Sequence, residues 1–303
     1  VNGSRIIFVP GMKPKPPPAE HGRELSRVLA TSLAWARPSA ARMFADHQDW
    51  LTLVPWTYRF YGTYRDITGD LAGIDRILHQ PLASAQDVRD IDSIAWRLSR
   101  LWHLLGDALP RLGRLMAKPE LRLTMSEALR YLNDHNGVAT EIREMLKERL
   151  RQAWQSGERV LLIGHSLGSV VAYDTLWELS HVETSDGRID LFVTLGSPLA
   201  TRFINRGLKG GNAEGRERYP TIIGRWENFS AKGDTTALHP ALRPAFHAML
   251  DLELLERLDD HVGLYNHYRG SLGLNPHKSY GYLIQPEVAE SIGAWLEEGS
   301  VGR

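Results

Sequence analysis

Residues 160–171 read VLLIGHSLGSVV. Four consecutive apolar residues, Val160 to Ile163, predict a strand buried on both faces. Beyond Gly164-His165-Ser166-Leu167-Gly168 the apolar and small residues continue as a helix through Tyr173 and Leu176. A serine at the tip of such a strand-to-helix turn needs neighbours without side chains, because a Cβ two residues before or after it would meet the adjoining backbone. Gly164 and Gly168 fill those two places. The helix that follows aims its unpaired N–H groups and positive dipole end at the place where negative charge would develop. Ser166 therefore reads as an activated nucleophile.

This strand, GHSLG turn and helix resemble the nucleophile elbow of the α/β-hydrolase superfamily of serine esterases and lipases. The resemblance implies an α/β fold, with a mostly parallel central sheet and helices on both faces. It also implies an acid after a later strand and a histidine on a loop before the last helix, in the order Ser, Asp, His. Asp234, in Lys232-Gly233-Asp234 after the run TIIGRWENF of 221–229, fits the first place. His277, in NPHKSYGYL ahead of a helix starting at Pro286, fits the second.

Rivals remain among the 12 histidines and the later acids. Asp259 and Asp260 are alternative acids, and His239, His261 and His267 alternative bases. Adjacent residues rarely point at one another, so the Asp259-Asp260-His261 run reads better as a solvated charged turn. His165 reads as support for the turn it sits in. The small-residue turn Gly196-Ser197-Pro198 belongs beside the catalytic edge, but Ser197 has no glycine pair around it and precedes a proline, so it reads as structural.

In the superfamily the loop after an early strand supplies one of two oxyanion N–H donors, usually from a His-Gly pair. Here Pro10-Gly11 stands at that place, after the apolar run RIIFV of 5–9. Proline has no N–H to donate, so the resemblance passes the role to Met12 N–H, partnered by Leu167 N–H just after the nucleophile. The segment KPKPPP of 13–18 reads as a proline-rich surface loop, with recruitment of a partner domain as the alternative.

Composition bounds these readings. The 303 residues are enough for one large α/β domain carrying an insertion, and 43% hydrophobic with 24% charged residues is ordinary for a globular chain. Thirty-six basic residues balance 36 acidic ones, so no global field points to nucleic acid as a partner. The lack of cysteine rules out a thiol nucleophile, disulfides and thiolate metal sites. No H-E-x-x-H occurs, and GLKGGNAEG of 207–215 lacks the Lys-Ser/Thr of a phosphate loop. No cofactor and no metal are expected. No apolar run reaches membrane-spanning length. The chain begins at Val1, which is compatible with a removed leader; a cytoplasmic location is the expectation.

Along the chain, 20–35 predicts a helix on one face of the sheet through Leu25, Val28, Leu29 and Leu33, and LTLVPW of 51–56 a strand. Between Tyr58 and Lys118 the character changes. Ile91, Ile94, Leu98, Leu101, Leu105, Leu112 and Leu115 repeat at helical spacing, with Arg97, Arg100, Arg111 and Arg114 on other faces and a break expected at Pro110. We expect residues 58–118 to be a helical cap or lid inserted in an α/β-hydrolase-like catalytic domain of 1–57 and 119–303. Trp96 and Trp102 suggest contact of this cap with a lipid surface, against the plainer reading that they pack it on the body. A helix over 126–153, strands over 189–195 and 221–229, an exposed loop over 202–219 and a closing helix from Pro286 complete the expectation; 252–258 fits either a helix or a strand.

The functional expectation is a serine hydrolase cleaving carboxylic esters, with lipid esters the attractive class, through Ser166, His277 and Asp234 and an acyl-enzyme. Acyl transfer, thioester or amide hydrolysis uses the same parts. A binding module on the same fold without chemistry is the alternative of a different class. Oligomeric state is not legible.

Overall fold

The computed structural model describes residues 3–93 and 119–301. Pro110, Trp96, Trp102 and the stripe from Ile94 to Leu115 lie outside the described residues.

Six parallel strands form the central sheet: β1 (Ser4–Val9), β2 (Leu51–Leu53), β3 (Arg159–His165), β4 (Ile189–Leu195), β5 (Ile223–Ala231) and β6 (Arg257–Leu264), in the order β2-β1-β3-β4-β5-β6. Such a sheet must be covered on both faces, and its inner strands accordingly read as unbroken apolar runs. In β3 alternate residues serve opposite layers. Val160 and Leu162 join one apolar core, Leu161 and Ile163 the other.

The first layer contains helices α7 (Val138–Gln155) and α8 (Leu167–His181), with an aromatic group of Tyr173, Phe192, Trp226 and Phe246. The second contains α1 (Pro18–Ala36) and the closing α13 (Pro286–Val301), with Leu25, Val28, Leu29 and Leu33 buried as their spacing predicts. Among the described residues the other α-helices are α2 (Pro38–Asp46), α3 (Trp56–Tyr61), α4 (Thr68–His79), α5 (Ala85–Ile91), α6 (Pro119–Leu132), α9 (Arg202–Gly207), α10 (Arg243–Phe246), α11 (Ala248–Asp251) and α12 (Ser279–Leu283). Of these, α4 sends Ile74 and Ile77 into the second layer. Among the described residues no helix is long and apolar enough to cross a membrane.

Several boundaries differ from the sequence expectation. The helix expected over 126–153 is two, because Asp134, Asn136 and Gly137 all take positive φ; the Asp134 carboxylate then accepts the N–H groups of Ala139 and Thr140 at the start of α7. The strand expected over 51–56 stops at Leu53, and Trp56 opens a helix instead. Part of the expected loop at 202–219 is helical. The segment 252–258 is neither all helix nor all strand: α11 ends at Asp251 and β6 begins at Arg257. The end of KPKPPP is no free tail either, since Pro16 is buried and Pro18 is the first residue of α1, where a missing N–H costs nothing.

Candidate active site

The strand ends β3, β4 and β5 lie side by side, and each delivers one part of the site. After β3 the chain turns at Ser166, whose φ of 55° and ψ of −130° are unusual for a residue with a side chain. Ser166 N–H donates to Leu195 O at 2.9 Å, tying the turn to the end of β4, and Ser169 Oγ donates to Ser166 O at 2.6 Å. The two elbow glycines have the steric role that the turn demands. A Cβ on Gly164 would lie 2.6 Å from Ser169 Cα, and one on Gly168 2.5 Å from Pro10 O. Ser197 is buried and shares a 2.7 Å hydrogen bond with Ser169 Oγ, so it braces the elbow helix.

After β5, Asp234 is buried and its two oxygens are used separately. Oδ1 accepts Thr236 N–H at 2.8 Å; Oδ2 lies 2.8 Å from His277 Nδ1 and accepts the Tyr282 hydroxyl at 2.6 Å. Tyr282 in turn accepts Ala231 N–H at 2.9 Å, and burial followed by the Asp234 charge raises its pKa well above the ordinary phenol value, so it stays a donor. The end of β4 supplies the wall. Gly196 has φ of 55°, and a Cβ there would stand 2.6 Å from Asp234 Oδ2 and 3.1 Å from His277 Nδ1.

His277 is held from the elbow. His165 Nε2 lies 2.7 Å from His277 O, and because a carbonyl only accepts, this nitrogen carries the hydrogen. Burial, then the neighbouring His277, depresses the His165 pKa well below the usual imidazole value, which keeps it neutral. The two rings are 4.7 Å apart between centroids. Ser166 Oγ makes no hydrogen bond among the described residues, as is common before base and nucleophile tighten around a substrate.

The loop after β1 approaches from the other side. A Cβ on Gly11 would lie 2.7 Å from Ser166 Cβ, so Met12 follows a residue packed directly on Ser166. Pro10 O accepts Trp56 Nε1–H at 2.7 Å, Lys13 N–H donates to Tyr61 Oη at 2.9 Å, and Met12 O accepts Lys15 Nζ at 2.7 Å. Leu167 is the first residue of α8, where backbone N–H groups have no partner within the helix.

The rival residues have other tasks. Asp259, Asp260 and His261 form part of β6, not a solvated turn. Asp260 accepts the N–H groups of Leu242 and Arg243 and the Asn228 amide, while His261 stacks on Phe229 at 4.4 Å and pairs with Glu227. His267 is buried and bonds Gln80 O through Nε2. Sequence reasoning missed Tyr282 as a neighbour of Asp234 and His277; it put the Gly196 turn beside the catalytic edge without its contact to that pair. Gly196 carried a signal, since a glycine ending a buried strand beside the elbow strand must lie near the turn at Ser166.

The parallel sheet, the helices on both faces and the serine elbow at its carboxyl edge make this an α/β-hydrolase-fold protein. Residues 132–214 match the family model of lecithin:cholesterol acyltransferase, a segment of roughly a quarter of the chain that includes the elbow. That similarity points to an enzyme acting on lipid esters, by acyl transfer or hydrolysis. No curated protein and no solved structure matches the chain.

Proposed function

We propose that the chain is a serine esterase or acyltransferase acting on carboxylic esters of lipids, with Ser166 as nucleophile, His277 as base and Asp234 as the carboxylate that orients it. The observation that carries this reading is the 2.8 Å approach of His277 Nδ1 to Asp234 Oδ2 beside the elbow. A carboxylate at Nδ1 favours the tautomer with hydrogen on Nδ1, leaving the Nε2 lone pair to take the Ser166 proton. Ser166 Oγ then attacks the ester carbonyl. Charge on the former carbonyl oxygen is met by the N–H groups of Met12 and Leu167. The tetrahedral adduct collapses as His277 returns the proton to the leaving alkoxide, which departs as an alcohol. Water or a second alcohol attacks the acyl-enzyme, losing its proton to His277, and the second adduct expels Ser166 Oγ, which takes that proton back as the acid or new ester leaves. Residues 58–118 take the role of selecting which esters reach Ser166.

Labelling with a fluorophosphonate, combined with a chain-length series of nitrophenyl esters, tests the proposal. Covalent capture at Ser166, with turnover lost in Ser166→Ala and His277→Ala, is expected. No labelling and no turnover would sink it and leave the binding-module reading. The match over 132–214 favours acyl transfer as a second reading. Added long-chain alcohol should then divert the acyl group from fatty acid to new ester, and activity should rise on emulsified over dissolved ester.

A further inference from the structure

Beside the candidate triad lies a cationic cluster that the proposed chemistry does not use. Four chain segments meet there: the loop after β1 brings Lys15, whose carbonyl accepts Arg65 N–H at 3.1 Å from the segment before α4, while the first turn of α1 brings His21 and the residue after His277 is Lys278. Among the described residues Asp70 is the carboxylate that engages these cations, and both its oxygens are already in use. Its Oδ1 accepts Lys278 Nζ at 2.6 Å and the Tyr268 hydroxyl at 3.2 Å, and its Oδ2 takes Arg65. Lys15 is left with the neutral carbonyl of Met12 and, among the described residues, has no ion-pair partner. Two polar atoms in the same cluster are orphans, and Lys278 Nζ stands 5.5 Å over the Tyr280 ring. His21 is 2% exposed and its Nδ1 has no hydrogen-bond partner; the Tyr280 hydroxyl is likewise buried and unpartnered, with the two rings edge-on at 6.0 Å. Natural structures rarely leave buried polar atoms unsatisfied, so a place with two of them beside an unpaired ammonium calls for a partner.

We propose that Lys15, His21, Lys278 and Tyr280 form a subsite for an oxyanion, a carboxylate or phosphate, adjoining the ester-cleaving centre. The donor set fits that chemistry. An ammonium, a phenol O–H and a neutral imidazole Nδ1–H all donate, and oxyanions accept from several directions at once. Burial, followed by Lys278 and Arg65, pushes Lys15 down to about 7, with Lys13 adding to and Asp70 opposing the effect; burial, then Lys15, Lys278 and Arg65, push His21 down to about 3. Desolvation also lowers Lys278. A bound anion supplies the charge whose lack holds the Lys15 proton loosely, so binding takes up a proton. The anion is either part of the substrate or a free ion.

Two measurements on the full chain separate these sources. Calorimetric titration with inorganic phosphate reads the site directly. The ratio of kcat/KM for 4-nitrophenyl hydrogen adipate over 4-nitrophenyl hexanoate reads an anion on the acyl chain, and this arm rests on the esterase reading. We expect phosphate to bind, Lys15→Met to weaken it about tenfold, Lys15→Arg to keep it, and Tyr280→Phe to weaken it a few-fold. A merely structural Tyr280 would leave phosphate affinity unchanged. Sulfate, whose charge is constant over the range, should bind more tightly at pH 6 than at pH 8, because Lys15 gains its proton in that window. A ratio above about ten that falls in Lys15→Met assigns the anion to the acyl chain. Phosphate binding with a ratio near one assigns it elsewhere, to the alcohol part or a free ion. Absence of both effects, or phosphate binding indifferent to both Lys15→Met and Tyr280→Phe, overturns the subsite. If Ser166 is unlabelled and no ester is cleaved, the catalytic proposal falls while the calorimetry still decides this one.

Discussion

His277 Nδ1 and Asp234 Oδ2 stand 2.8 Å apart although 43 residues separate them in the chain, and the same carboxylate oxygen accepts the Tyr282 hydroxyl. One oxygen thus serves both a histidine from the loop before α12 and a tyrosine from within it. Tyr282 also links Asp234 to the backbone of β5 through Ala231 N–H.

Tyr282→Phe removes the donor to Asp234 and leaves Ala231 N–H buried without its acceptor. The variant should lose about 1–3 kcal/mol of stability, the cost of an unsatisfied buried group. Ester turnover should fall about tenfold as the carboxylate loses its second anchor. Urea unfolding and kcat on a nitrophenyl ester check the two halves separately; wild-type values in both would show that the tyrosine is a spectator.

Gly196→Ala introduces a Cβ where the backbone has φ of 55° and where Asp234 and His277 already meet. The acid and base must separate to admit it. We expect kcat to drop by at least about a hundredfold, the scale of general-base catalysis, while circular dichroism remains that of the folded chain.

Ser166 separates strain from chemistry. Its φ of 55° and ψ of −130° favour glycine over any residue with a Cβ. Ser166→Ala and Ser166→Gly should both abolish turnover, but the glycine variant should be about 1–2 kcal/mol more stable than the alanine variant. Equal thermal midpoints would show that the turn holds no strain.

Asp174 gives a pH signature away from the site. It is buried in the elbow helix, accepts Lys209 N–H at 2.8 Å, and burial raises its pKa to about 7 despite that bond and the nearby Arg143. Between an unfolded value near 4 and about 7, the native state binds the proton more firmly, so stability is full at low pH and falls as pH rises through this window. Asp174→Asn keeps an acceptor for Lys209 and abolishes the ionisation. Its gain over wild type should be near zero at pH 4 and about 1–3 kcal/mol above pH 7, read from chemical denaturation across pH.

The elbow was legible in the sequence because everything it needs is local. A buried strand demands apolar residues on both faces, a tight turn demands small neighbours of Ser166, and both demands fall within one short run, 160–171. The strand at 189–195 and the helix on Leu25, Val28, Leu29 and Leu33 followed for the same reason, and so did the strand expected over 221–229, which runs two residues later, over Ile223–Ala231. Local pattern misled where conformation depended on single backbone angles, as at Asp134 and Asn136, which split one amphipathic stripe into two helices. It also misled at Asp259, Asp260 and His261, whose charges suggested a turn, whereas β6 pairs with β5 and uses Asp260 to hold the loop at Leu242 and Arg243.

What the sequence by itself determined is the fold class and the position of its serine, because short-range sterics and periodicity encode both. Only the tertiary structure decided which acid meets which histidine, that Tyr282 and Gly196 enclose the pair, and that Lys15, His21 and Lys278 gather beside it. Those residues come from strand ends, loops and helices far apart in the chain. Their encounter is set by the order and register of the parallel strands, which no local pattern carries.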